Sequence, residues 1–341
     1  MDILLCIRLT NTANLLLINF KNLNIMQLRT FIRYFLIITL SIFPLISKAE
    51  EVLETKYGII VTPFAGYRYD IYQWSTPYGS SSTDRTLSEL TWKNHISETG
   101  LKIETKPEEN QFNFQGQLKY GHILSNSKNQ DSDWDELGEF ARSFSSVKGN
   151  ILDLSGSIGF SRKLANYLVT YYLGMDYTKY LMKDYGLNYK INRFYNTNIT
   201  NELGQTESKS KLVAKYNFDN YAPWIGTSIN YSVNDKLSII PTIKLYLFYL
   251  SGRATWILRE DLGHGPSFTD KALGIGASFD TELLYQYTNN LAFKANVGIK
   301  KFDMKQGVRK TFIANGDTHS SELKKLSLFS SSISAGIKYK L

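Results

Sequence analysis

The sequence predicts an all-β chain, a ten-stranded antiparallel transmembrane β-barrel of the outer-membrane type preceded by a signal peptide. Three observations carry this expectation. Runs of strand length alternate apolar and polar residues, no 3.6-residue period persists after residue 50, and the connections between runs sort by parity into short and long. In such a barrel the apolar face of each strand meets lipid and the polar face lines the lumen.

The first 49 residues differ from the rest. A short basic start, Met26 to Arg33, precedes the apolar run Tyr34 to Ile46, and Ser47-Lys48-Ala49 supplies small residues for cleavage. The apolar run is too short to span a bilayer as a helix, which takes roughly 20 residues. Residues 1–49 are therefore expected to be a signal region with its true start at Met26, and 50–341 the barrel domain. Cys6, the one cysteine, lies in the part removed, so disulfides and a thiol nucleophile are excluded from the mature chain. Removing the five basic and one acidic residues before position 50 from totals of 39 and 31 leaves 34 against 30. So small an excess gives no footing for nucleic-acid binding. The 23 Tyr and 19 Phe suit the aromatic girdles of a barrel.

Ten alternating runs follow, near 57–74, 87–105, 111–124, 150–162, 167–182, 211–233, 236–258, 271–287, 291–304 and 323–341. Alternation is clearest in the third, where Phe112, Phe114, Gly116, Leu118 and Tyr120 oppose Gln111, Asn113, Gln115, Gln117 and Lys119. Leu291, Phe293, Ala295, Val297 and Ile299 oppose Lys294, Asn296, Gly298 and Lys300 in the ninth. The segment Leu237–Leu250 is nearly all apolar, but Pro241 and Lys244 interrupt it, and it reads as a strand. The second, fourth, sixth and eighth connections are tight, as periplasmic turns are; the other five are long and polar, as extracellular loops are. Residues 125–149 and 259–270 should therefore emerge on one rim. The last run ends at Leu341 with a mostly apolar face, Phe329 to Leu341, suited to pairing with the first strand and closing the ring.

Two stretches of these long loops carry candidate chemistry. The acidic tip Asp131-Ser132-Asp133-Trp134-Asp135-Glu136 places two carboxylates two residues apart. Like charges that close raise one pKa, which suits general acid–base work; a solvated acidic loop is the alternative. A calcium loop is excluded, because its sixth position is Glu136 rather than Gly and its twelfth Arg142 rather than Glu. His264, in Arg259-Glu260-Asp261-Leu262-Gly263-His264, lies in the fourth long loop with two carboxylates shortly before it. Oriented by Asp261 it could activate a water, or it could be an exposed loop histidine. Serine-hydrolase, P-loop and zinc-peptidase motifs are absent.

Leu90-Thr91-Trp92-Lys93, Asp131-Ser132-Asp133-Trp134, Gly174 to Gly186, Pro223-Trp224-Ile225-Gly226, Ser251-Gly252 and Ala335-Gly336-Ile337-Lys338-Tyr339 together resemble the omptins. These are ten-stranded outer-membrane endopeptidases of Gram-negative bacteria. The resemblance covers most of the mature chain. It implies a catalytic aspartate pair, Asp131 and Asp133, with His264 as base, Asp261 as its orienting carboxylate, and Glu260 attracting a basic side chain of the substrate. It also implies cationic peptide or host-protein substrates and contact with lipopolysaccharide, with Lys179 as a candidate, but no cofactor and no metal. The family's D-x-H has Leu262 in place of its aspartate here. An inactive barrel serving as a surface adhesin is thus the other expectation. A passive pore is disfavoured, since in-facing charged side chains would plug so narrow a ring.

Overall fold

The computed structural model describes residues 58–341 apart from Thr83, Asn166 and 194–206. The expected signal region and its cleavage site lie outside the described residues. Twelve strands are present among those described. They are β1 (Ile59–Pro77), β2 (Thr86–Thr105), β3 (Phe112–Ile123), β4 (Lys128–Asp135), β5 (Gly138–Leu164) and β6 (Tyr167–Asn192). After them come β7 (Glu207–Ser232), β8 (Leu237–Trp256), β9 (Phe268–Gln286), β10 (Leu291–Phe312), β11 (Thr318–Glu322) and β12 (Lys325–Lys340).

Ten of the twelve form a ring in which each strand pairs antiparallel with its neighbours, while β4 and β11 are additions at one rim. Closure runs from Ile60 opposite Lys340 to Ser75 opposite Lys325, so the last expected strand does seal the first. The four tight connections all lie at the rim away from β4, as the parity of the loops predicts.

The stretch 125–149 is not a loop. β4 continues the sheet beyond the end of β3, pairing with β2 on one side and with the upper part of β5 on the other. β5 pairs with β4 from Gly138 to Ser146 and with β3 from Gly149 to Phe160. Gly149 holds φ at +152°, a backbone conformation that a side chain disfavours, at the point where the partner changes. β5, β6 and β7 reach 27, 26 and 26 residues, far more than the roughly 9–11 a bilayer takes, so their upper halves stand clear of the membrane.

The outer face is apolar across the middle, with Leu101, Leu118, Leu173, Ile225, Leu245 and Val297 all exposed. Aromatic rings bracket this band. Tyr69 packs on His95 at 4.9 Å and Tyr177 on Tyr221 at 5.0 Å along one edge. Phe112 packs on Phe160 at 5.3 Å and Tyr167 on Tyr231 at 5.8 Å along the other. These are the two girdles of a membrane barrel.

Inside, the ring holds two chemically distinct zones. At membrane level the inward side chains are charged and paired. Arg68 meets Asp70 at 3.1 Å, Glu98 at 2.8 Å and Asp153 at 2.7 Å. Nearer the tight turns, Lys338 meets Glu104 at 2.7 Å and Lys294 meets Glu282 at 2.6 Å. Pairing of this kind lets charges stay buried, because each finds several partners. Two small cavities, of about 190 and 110 Å³, lie among these groups. Above them the inward face turns aromatic. Tyr72 packs on Phe218 at 4.7 Å, Trp92 on Tyr216 at 4.7 Å and Phe248 on Phe302 at 5.0 Å, all buried. Burying each such ring contributes about 1.5–3 kcal/mol. The layer forms the floor of a cleft that opens at the rim bearing β4.

Candidate functional site

The cleft has a volume of about 510 Å³. Its acidic wall comes from β4 and β6. The two-residue period of β4 turns Asn129, Asp131 and Asp133 to one face, and all three line the cleft. Asp184, at the upper end of β6, lies beside them and accepts a hydrogen bond from Asn129 Nδ2 at 2.6 Å. Apolar surface completes the enclosure through Trp74, Tyr78, Leu87, Phe140, Trp256 and Leu258.

The opposite wall is cationic but internally neutralised. Arg309 on β10 donates two hydrogen bonds to Asp270, at 2.8 and 2.7 Å, with both side chains buried. Its guanidinium lies 3.8 Å from the ring centroid of Trp74 and 4.5 Å from that of Phe268. Arg259 grips Asp261 through two bonds of 2.6 Å.

These groups stand above the upper girdle; Asp184, for one, is seven residues beyond Tyr177 along β6. Burial raises the pKa of Asp184 to about 7 against its hydrogen bond from Asn129. Burial also pushes Asp131 well above the usual carboxylate range, with the charges of Asp133 and Asp184 adding to the effect and Arg259 opposing it. Asp133 is raised by burial too, against a hydrogen bond from Ser88 and the charge of Arg259. Asp261 goes the other way, lowered chiefly by its bonds from Arg259.

The structure thus brings Asp131, Asp133 and Asp261 to one cleft and leaves Glu260 and His264 exposed, outside its lining. The backbone explains the placement of His264. Gly263 N–H donates to Phe312 O at 2.8 Å and Ala314 N–H to Asp261 O at 3.0 Å, tying the β8–β9 connection to the end of β10. That tie buries Leu262, which is 3% exposed and lines the cleft, and leaves His264 on the outer side. Lys179 faces outward on β6, opposite Asp219. Asn129, Asp184, Arg259 and Arg309 are cleft residues that the sequence reading passed over. An acidic residue on the parity of Tyr180 and Met182, both buried, was the available signal for Asp184. Among the described residues no group of three or more His, Cys, Asp or Glu side chains is arranged to hold a metal ion.

The ring is similar to that of the outer membrane protease OmpT from Escherichia coli, with a TM-score of 0.64 at 14% identity over 83% of this chain and 97% of that one. At this identity the likeness shows the fold. A major outer membrane protein of Thermus thermophilus matches with a TM-score of 0.35 at 13% identity, over 57% of this chain and 92% of the other. The translocator domain of the autotransporter NalP from Neisseria meningitidis gives 0.35 at 11%, over 86% and 93%. No curated protein matches the sequence. The family model described as Protochlamydia outer membrane protein, Pom, matches residues 64–341. The chain, an outer-membrane β-barrel closed by ten antiparallel strands, belongs to the Pom family.

Proposed function

We propose that this barrel is a surface binding protein that captures a basic side chain of a peptide or protein in its extracellular cleft, and that it does so without histidine-dependent hydrolysis. One observation carries the reading: Leu262 fills the position that would orient a histidine, and the backbone ties around Gly263 hold His264 outside the cleft. Four aspartates line the cleft against two arginines, each of which already has a carboxylate partner. A cationic group entering among apolar walls therefore meets uncompensated acceptors, in a setting where charge interactions are strong.

A second reading, the endopeptidase, is favoured by the raised pKa values of Asp131 and Asp133 within one cleft. In it the two aspartates position and deprotonate a water, His264 assists after its loop turns inward, Asp261 orients it and Glu260 attracts the substrate. One experiment separates the two. Protein refolded with lipopolysaccharide is incubated with a peptide bearing paired basic residues, and both retention and cleavage are followed. Retention of intact peptide, lost in Asp131→Asn, supports the binder. Cleavage that falls by orders of magnitude in both Asp133→Ala and His264→Ala, with little further loss in the double variant, establishes the hydrolase instead.

A further inference from the structure

Three acceptor oxygens at the acidic wall have no hydrogen-bond partner although they are buried: Asn129 Oδ1, Asp131 Oδ1 and Asp184 Oδ1. Asn129 is 4% exposed and Asp184 1%, and all three residues line the same cleft. An unpaired buried acceptor costs about 1–3 kcal/mol, so three in one place call for a donor. Asn129 has spent a side-chain N–H on Asp184, and the arginines of the cleft are bound elsewhere, to Asp261 and Asp270.

We infer that Asn129, Asp131 and Asp184 form a nest for the N–H-rich head of a cationic ligand, and that the ligand displaces a carboxyl proton as it enters. The inference rests on the binding reading above and adds to it a residue, Asp184, and a mode of control. The chemistry follows from the donor set. A carboxylic acid can supply one O–H to the nest; a guanidinium or ammonium supplies several N–H groups and a full positive charge. Proton and ligand are thus alternative occupants, and the proton leaves to solvent when the ligand binds.

Asp184 is also hydrogen-bonded by the side chains of Trp92 and Ser145, which leaves its Oδ1 as the free acceptor. Asp131 faces it from β4 and the Tyr216 hydroxyl from β7, while β2 presents Trp92 and β5 presents Ser145. Of the cationic groups, Arg259 acts on Asp131 and Asp133, and Arg309 on Tyr216. Burial accounts for the proton being present at all near neutrality, since it holds Asp184 at about 7 and Asp131 well above its ordinary range. At pH 5.5 only about 3% of a group titrating near 7 is ionised, so affinity for a ligand that needs the ionised form should fall roughly thirty-fold between pH 8.5 and 5.5.

The test uses the refolded full barrel in detergent, with Nα-acetyl-arginine amide as probe and the citrulline counterpart as its neutral isostere. Isothermal titration at pH 5.5, 7 and 8.5, in buffers of different ionisation enthalpy, reads affinity and the number of protons released. The nest predicts binding that strengthens with pH, release of up to one proton per probe, and no binding of the citrulline form. In Asp184→Asn the pH dependence should flatten and affinity at pH 8.5 should drop about tenfold or more. Arginine-probe binding that is equally strong at all three pH values without proton release overturns the nest while leaving the binding reading intact. Failure of the probe to bind at any pH overturns both. The wild-type proton count decides the matter even if the variant does not fold.

Discussion

Replacing Asp184 with Asn removes a buried ionisable group while keeping its shape and its contact with Asn129. The folded barrel holds this carboxyl at about 7 rather than near its ordinary 3.8, chiefly because burial disfavours the charge. At about 1.4 kcal/mol for each tenfold change, that displacement corresponds to roughly 4 kcal/mol. The sign follows from proton uptake. Between pH 3.8 and about 7 the folded chain holds a proton that the unfolded chain has released, so this group's contribution to stability is complete below the lower value and is lost as pH rises through the upper one. Asn carries no such dependence. The variant should therefore gain on the wild type by up to roughly 4 kcal/mol between pH 4 and pH 8. Most of that gain should accumulate before about pH 7. Reversible urea unfolding in lipid vesicles at pH 4, 6 and 8, followed by tryptophan fluorescence, measures the difference directly. Parallel pH profiles for the two proteins would refute the argument, because removing the charge of Asp184 also eases the upward shift of Asp131 and adds to the gain.

Arg309→Met leaves the buried Asp270 without its cationic partner, and should cost about 3–5 kcal/mol in the same unfolding assay. The paired change Arg309→Met with Asp270→Leu should recover most of that loss. On the outer surface Lys148, Lys183 and Lys215 stand directly opposite one another on β5, β6 and β7. Lys183→Glu turns two repulsions into attractions, so it should raise the melting temperature at low salt, with the gain shrinking at high salt. In planar bilayers the protein should show no steady conductance, since paired charges and then aromatic rings fill the lumen. Discrete open channels in a purified preparation would contradict the packing described above.

How much of this was legible in the sequence depends on which solvent each residue meets. Strands in contact with lipid alternate cleanly, so Phe112 to Tyr120 and Leu291 to Ile299 declare both their faces and the ring they close. Above the membrane both faces are wet, and the pattern fades. The run ending near Met182 in the sequence reading continues to Asn192, and the one beginning near Asn150 starts at Gly138. The acidic tip lies in β4 for the same reason: Asn129, Asp131 and Asp133 alternate, but with polar residues on either side. Arg309 was hidden by geometry. A bulge between Met304 and Gln306 reverses the parity of β10 just before it, so counting from Leu291 places the side chain on the wrong face. The positions of Leu262 and His264 follow from hydrogen bonds to β10 more than forty residues away, which no local spacing encodes.

The layer of rings beneath the cleft acts as a stopper. Tyr72, Trp92, Phe218 and Phe302 separate the carboxylates at the mouth from the ion pairs around Arg68 and Asp176. Cargo held in the cleft has no route inward past these side chains. Whatever enters the cleft from outside must therefore leave by the same mouth.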